Sequence, residues 1–212
     1  MTQKQLYCFF LLSLSFLSSC NKPDEAGKIS FILGDVRING QKASLNQIIK
    51  NKDEIETGEK SVCNILLSEK SILQIHSLSK ISLDFSDKIK LIDLVSGEMS
   101  AVLNKGNEKK EHMVRTPVSL AGVRGTSFFI KIESSAQVFF CTCNGTIEHK
   151  TSKEDKTGET VSATHHLAKR FIKESNGQIN IDNNPGMLYH TDQDIEELAK
   201  NIGVVIDWTK VD

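Results

Sequence analysis

Alternating apolar and polar residues are the feature that most constrains the fold of this 212-residue chain. Between residues 61 and 99, apolar residues recur at every second position in short runs such as Ile81, Leu83 and Phe85. Side chains of a β-strand alternate between two faces, so this spacing predicts strands with one buried face. Polar corners separate the runs at intervals of about 8–12 residues. We therefore predict a mainly β fold, either a β-roll or solenoid-like stack or a sandwich, and the short corners favour the roll or stack.

A helical pattern replaces the alternation near the C-terminus, over residues 191–202. Thr191 is a good N-cap residue, and Asp194, three residues later, can complete a capping box. Gly203 is placed to end the helix. The sequence thus predicts one short C-terminal α segment, and residues 43–50 and 165–173 have spacings that a short helical turn would also satisfy.

The charge balance and the motif content argue against two function classes. The chain has 26 Lys and Arg residues against 27 Asp and Glu residues, and aromatic residues are only 6%. A nucleic-acid-binding face normally needs a basic surplus and, for single strands, aromatic platforms. No GxSxG, HExxH or phosphate-loop motif occurs. We therefore expect no nucleic-acid partner and no enzyme, with thiol or metal-dependent activity as the minor alternative.

The N-terminus predicts the compartment. Lys4 is the only charge before an apolar run that ends at Leu17, and this run is too short to span about 30 Å of hydrocarbon. Such a segment is typical of a secretory signal peptide. The residues Leu17-Ser18-Ser19-Cys20 resemble a bacterial lipobox, which implies that Cys20 becomes the lipidated first residue of the mature chain. The alternative is an ordinary signal peptide with an incidental cysteine.

This interpretation divides the N-terminal region into two parts. Residues 1–19 form the lipoprotein signal peptide, and residues 20–27 form a polar tether. The lipid on Cys20 is then the membrane anchor, since no later stretch is apolar enough to cross a bilayer. We expect a bacterial cell-envelope protein that is lipid-anchored and extracytoplasmic, facing the periplasm or the surface.

The central part of the chain resembles the FecR domain family. The resemblance extends from Gly34 to Gly145 and rests on these matching pieces: Gly34-Asp35-Val36, Glu56-Thr57-Gly58, Leu94-Val95-Ser96-Gly97-Glu98-Met99, Thr116-Pro117 and Ala121-Gly122-Val123-Arg124-Gly125-Thr126. It implies an extracytoplasmic, all-β FecR-like domain over residues 28–148, followed by a C-terminal extension over residues 149–212. In iron-regulation systems such domains relay a signal from an outer-membrane receptor to a sigma factor.

The expected role of this chain differs from that relay. No sigma-binding region precedes the signal peptide, and no transmembrane helix is predicted to connect two compartments. The resemblance therefore implies a lipid-anchored envelope module that binds a protein partner, without sigma-regulator machinery of its own.

The most specific motif of this resemblance, Thr116 to Thr126, has a structural interpretation. Gly122 and Gly125 permit tight turns or positive φ near the start of a strand. Arg124 carries five N–H donors, which can bind neighbouring carbonyls inside the domain or, alternatively, an anionic ligand or partner.

Residues 128–132 and 137–142 are predicted to form a hairpin after this motif, and two cysteines at its second strand suggest a metal site. Cys141 and Cys143 point to the same face of a strand, with Cα atoms about 6.5–7 Å apart, near the limit for a disulfide. Two thiolates on one face suit a tetrahedral metal ion. The alternative is that Cys63 forms a disulfide with one of them in the oxidising envelope.

Three histidines downstream supply further candidate ligands: His165, His166 and His190, with Asp192 close to the last. Four Cys and His ligands would close a Cys₂His₂ site, and three with a water would leave it open. Zn is the first expectation and Cu the second, because soft ligands also bind copper tightly. Adjacent residues seldom face the same way, so the choice between His165 and His166 stays open. The alternative for all three is a surface or helix-entry position.

Overall fold

The computed structural model describes residues 25–86, 89–104, 112–150 and 158–211. Strands make up 57% of these residues and the helix 5%. The strands are β1 Glu25–Leu33, β2 Val36–Ile38, β3 Gln41–Lys42, β4 Ile48–Lys50, β5 Glu54–Thr57, β6 Val62–Ser68, β7 Ser71–Ile75, β8 Lys80–Asp84, β9 Lys90–Ser96, β10 Glu98–Leu103, β11 His112–Arg115, β12 Leu120–Val123, β13 Thr126–Ser134, β14 Gln137–Lys150, β15 Glu159–Ala163, β16 Leu167–Lys173 and β17 Ile179–Asp182. The helix is α1 Asp192–Lys200.

The strands pair in two series that share β14. The first sheet runs β4-β1-β6-β7-β10-β13-β14-β16-β17. The second runs β3-β2-β5-β8-β9-β11-β12-β14-β15, and its β9–β11 pair is parallel whereas the other described pairs of both sheets are antiparallel. Strand β14 passes from the first sheet to the second near Gly145, whose φ of 117° is a conformation that L side chains rarely adopt. The result is a curled half-barrel.

The main hydrophobic core lies between the two sheets. It contains one side of nearly every strand, including Ile65 and Ile75 from the first sheet and Ile81 and Ile92 from the second. These residues belong to the alternating pattern of the sequence, because every second side chain of a half-buried strand faces the core. The prediction of a mainly β fold with one C-terminal helix is therefore confirmed.

A second, smaller cluster covers the outer face of the first sheet. Helix α1 contributes Ile195, Leu198 and Ala199, which pack on strand residues that include Phe129 and Phe139. The capping box predicted for this helix is present, since Asp194 N donates to Thr191 Oγ1 (3.3 Å) and Thr191 N donates to Asp194 Oδ2 (2.8 Å). The helix therefore packs on the face of the first sheet that carries Phe139, Cys141 and Cys143 of β14.

The two additional helical segments predicted from spacing are wrong. Residues 43–50 form a turn, in which Asn46 has a left-handed φ of 66°, followed by β4 paired with β1. Residues 167–173 form β16, which pairs with β14. In this strand alternate side chains, those of Lys169 and Phe171, are buried. Sheet pairing outweighs the weak helical spacing at both places.

Two expected boundaries also change. Residues 25–27 were predicted in the tether but belong to β1, which pairs with β4. The extension expected after residue 148 continues the same two sheets through β15, β16 and β17. Cys20 and the predicted signal peptide lie outside the described residues. Among the residues that are described, no helix is both long and apolar enough to cross a membrane.

Candidate metal centre

The two cysteines of β14 are buried on the outer face of the first sheet. Cys141 and Cys143 are both fully buried and belong to the cluster that α1 covers. Their Sγ atoms lie 4.0 Å apart, and both are free thiols. Cys63 is also a free thiol but lies in the main core, on the other side of the sheet. The alternative disulfide with Cys63 is therefore absent from the described structure.

Two histidines from separate segments complete a group of four ligands. His166 follows β15, and its backbone N–H donates to the carbonyl of Cys143 (2.9 Å), which brings its ring to β14. His190 precedes α1 and stacks on Phe129 with a centroid distance of 4.5 Å. One ligand atom from each of Cys141, Cys143, His166 and His190 lies within 4.8 Å of the other three.

Four of the six distances between these ligand atoms lie close to the edges of a tetrahedral site. Zn–S bonds near 2.3 Å and Zn–N bonds near 2.05 Å give edges of about 3.8 Å between sulfurs, 3.6 Å between sulfur and nitrogen, and 3.3 Å between nitrogens. The observed separations are 4.0 Å for Cys141 Sγ to Cys143 Sγ and 3.2 Å for His190 Nε2 to His166 Nδ1. Cys141 Sγ to His166 Nδ1 is 3.5 Å, and Cys143 Sγ to His190 Nε2 is 3.3 Å. The four side chains can therefore surround one ion with little movement.

Contacts on the far side of each ring fix which nitrogen faces the cysteines. His190 Nδ1 lies 2.9 Å from the Leu188 carbonyl and must donate its proton there, which leaves the lone pair on Nε2. His166 Nε2 lies 3.0 Å from Asp192 Oδ1, although the two groups are poorly aligned for a hydrogen bond. A carbonyl or carboxylate behind a metal-binding imidazole is the usual second partner of such a ring.

The electrostatic environment favours one thiolate already. A hydrogen bond from the Cys143 thiol, with the imidazoles of His166 and His190 alongside, lowers the pKa of Cys141 to about 4. Burial raises the pKa of Cys143 well above its ordinary value, and the neighbouring Cys141 thiolate adds to this. Two buried thiolates at this distance need a cation between them, which a metal ion would supply.

His165 is the candidate ligand that the buried group does not include. Its ring is half-exposed and its Nε2 binds Asp192 Oδ2 at 2.9 Å, so the choice left open in the sequence falls on His166. Trp208 was not singled out in the sequence, although it is the only tryptophan in the chain. Its ring packs on His166 and His165, with ring-centroid distances of 5.1 Å and 5.0 Å.

Two non-glycine residues with left-handed backbone lie at the histidines. His166 has φ 33°, and Tyr189, directly before His190, has φ 71°. Such conformations cost free energy and persist where the surroundings enforce them, often at functional sites. Tyr189 is fixed by its hydroxyl, which donates to Glu133 Oε1 at 2.6 Å.

Neither group of candidate ligands contains a residue of the motif from Thr116 to Thr126, which shapes the sheet. Thr116 Oγ1 accepts from the Ser119 N–H (2.9 Å) in the turn that contains Pro117. Gly122 and Val123 belong to β12, and Gly125 has φ 65° in the turn that leads to Thr126 at the start of β13. Arg124 is exposed in this turn, which differs from the expected position inside the domain.

The fold and the site together define a class: a curled, mostly antiparallel β domain that presents a buried Cys₂His₂ group beneath a short helix. Residues 53–148, a little under half of the chain, match the family model described as FecR protein. The resemblance to the FecR domain family seen in the sequence is therefore confirmed over these residues. FecR-like proteins are associated with the cell envelope and are generally non-enzymatic.

Comparison with solved structures agrees with this fold. Two crystal structures of a protein from Parabacteroides distasonis, provisionally described as an anti-sigma factor, match with a TM-score of 0.50 and 17% sequence identity. The match covers 61% of this chain and 59% of that one, so the chain spans about three fifths of the length of those structures. At this identity the likeness concerns the fold alone. No curated protein matches the chain.

Proposed function

We propose that this protein is an envelope FecR-domain protein that binds one metal ion, Zn²⁺ in the first instance, through Cys141, Cys143, His166 and His190. The observation that carries the proposal is the agreement of the ligand separations with the edges of a tetrahedral N₂S₂ site. Four protein ligands leave no open position, so the ion would act as a structural or sensing element rather than as a catalyst. Copper(I) is the competing ion, because thiolates select it as well.

The elements that supply the ligands explain what the ion would do. Cys141 and Cys143 come from β14, whereas His166 and His190 come from segments that precede β16 and α1. An ion bound to all four would join the C-terminal segment to the FecR domain. Metal occupancy would thereby control whether α1 stays on the outer face of the first sheet.

Elemental analysis of the full-length, untagged protein after dialysis tests this proposal. We expect close to one Zn or Cu per chain, none in Cys141→Ser/Cys143→Ser, and an unchanged amount in Cys63→Ser. The last variant is the matched control, since Cys63 is equally buried but lies in the other core. His190→Gln provides a second test should the double variant fold poorly. Equal metal content in all variants would contradict the proposal.

The family and the fold support a second role, as an interaction module for an envelope protein. We propose that a lipid on Cys20 tethers the domain to the membrane and that the domain binds a protein partner without catalysing a reaction. The match of residues 53–148 to the FecR protein family model supports this proposal. Arg124, exposed within the family motif, offers a planar donor group for an acidic surface of that partner.

Two experiments test this second role. Fatty-acid labelling in cells should mark the wild type and spare Cys20→Ala; equal labelling would contradict the anchor. Cross-linking in membranes should give one stoichiometric adduct that Arg124→Glu reduces and Lys42→Glu, an exposed basic position elsewhere, does not. A chain that runs only as a monomer after cross-linking would contradict the partner.

A further inference from the structure

A second group of metal-binding side chains lies on the solvent side of the buried centre and shares one residue with it. His165, His166 and Asp192 each bring one ligand atom to within 4.8 Å of the other two. The buried group faces Nδ1 of His166, whereas Asp192 lies beside Nε2 of the same ring. Because the two nitrogens of an imidazole point in different directions, one ring can face two positions.

The His166 Nε2 atom is buried without a well-aligned hydrogen bond, although Asp192 lies beside it. The His166 side chain is only 3% exposed, and Nε2 makes no well-formed hydrogen bond. It lies 3.0 Å from Asp192 Oδ1, and His165 Nε2 lies 2.9 Å from Asp192 Oδ2. Ligand atoms around a tetrahedral ion with bonds near 2.05 Å lie about 3.3 Å apart, so a small outward movement would admit an ion. A buried nitrogen without a well-aligned hydrogen bond, aimed at this position, is the observation that separates it from an ordinary surface ion pair.

We propose that His165 Nε2, His166 Nε2 and the Asp192 carboxylate bind a second divalent cation, Zn²⁺, at the surface, with the His166 ring bridging the two ions. The inference rests on the proposed buried centre only through this shared ring. Two imidazole nitrogens and one carboxylate suit Zn²⁺, whereas Cu(I) prefers thiolates and Ca²⁺ prefers oxygen. Three protein ligands leave one position for water, so this outer site is open while the buried one is closed.

The exposure of the ligands predicts the order of binding. The side chains of His165 and Asp192 are 49% and 43% exposed, whereas both cysteines are fully buried. The buried site, with two thiolates, should bind its ion more tightly, and the outer site should fill second and exchange faster. A ring bound through both nitrogens has lost its remaining N–H proton, so the second ion releases that proton of His166 to solvent.

A cobalt(II) titration of the reduced, metal-free, full-length protein separates the two sites. Thiolate-to-cobalt charge-transfer absorption reports the buried site, because only that site contains sulfur. The fluorescence of Trp208, the single tryptophan, which packs on His165 and His166, reports the outer one through quenching. We expect the absorption to saturate at one equivalent and a second phase of quenching to end at two equivalents.

Variants assign each phase to its site. His165→Ala should remove the second phase, or weaken it at least about tenfold, and leave the absorption unchanged. Glu196→Gln is the matched control, because this carboxylate accepts from Trp208 Nε1 (2.7 Å) but lies outside the ligand group. A wild-type titration that ends at one equivalent, or a second phase that survives in His165→Ala, would overturn the outer site. A wild-type titration without charge-transfer absorption, but with a quenching phase that His165→Ala removes, would support the outer site and contradict the buried centre.

Discussion

Gly125 has a backbone conformation that a side chain would strain. Its φ of 65° lies in the left-handed region, in the turn between β12 and β13. We expect Gly125→Val to destabilise the protein by about 1–3 kcal/mol, because a β-branched residue is strongly disfavoured there. Gly122→Val is the matched control, since Gly122 lies in β12 and an added Cβ would meet only Glu148 at 3.7 Å or more. Urea unfolding measures the stability of both variants, and equal midpoints would contradict backbone strain at Gly125.

His149 should make the folded protein sensitive to acid. Its ring is buried between Phe140 and Phe171, and burial lowers its pKa to about 3, with a smaller contribution from Lys169. In the unfolded chain His149 has a pKa near 6.5 and binds a proton that it does not bind in the folded protein. The free energy of unfolding therefore falls as the pH drops from about 6.5 toward 3.

The slope from this one group is at most about 1.4 kcal/mol per pH unit. His149→Leu should flatten the dependence of the unfolding free energy on pH in this range. The measurement is made with a chelator present, so that metal ligands do not contribute. Identical slopes for the wild type and the variant would contradict a neutral His149 in the core.

At the scale of elements, the N-cap of α1 should influence the metal site. Thr191 closes the capping box directly after His190, so the helix start positions that ligand. Thr191→Ala should lower the free energy of unfolding by about 1 kcal/mol and weaken zinc binding. Gln193→Ala, on the exposed face of the helix, should change neither the stability nor the zinc affinity by a comparable amount. Calorimetric titration with zinc measures the affinity. An unchanged zinc affinity in Thr191→Ala would contradict a role of the helix start in positioning His190.

Local sequence patterns predicted the elements whose residues are close in the chain. The capped helix, the β13–β14 hairpin and the same-face pair Cys141 and Cys143 follow from spacing and capping alone. Strand β16 did not, because its identity depends on pairing with β14 rather than on its own residues. The choice of His166 over His165 depends on a left-handed φ of 33°, which neighbouring residue types do not indicate.

At the scale of the whole molecule, removal of the metal should loosen one region more than the rest. The ligands connect β14 with residues 166 and 190, so the ion closes two loops of the chain. Chelation should therefore lower the melting temperature and increase hydrogen exchange mainly within residues 160–211. The main core between the sheets should keep its protection. Uniform exchange across both regions would contradict this coupling.

X-ray absorption of the full-length protein loaded with one equivalent of zinc tests the central claim most directly. The buried centre predicts two sulfur neighbours at about 2.3 Å and two nitrogen neighbours at about 2.0–2.1 Å. Cys141→Ser/Cys143→Ser should lose the sulfur shell, and Cys63→Ser should keep it. A wild-type shell made only of nitrogen and oxygen would contradict the account.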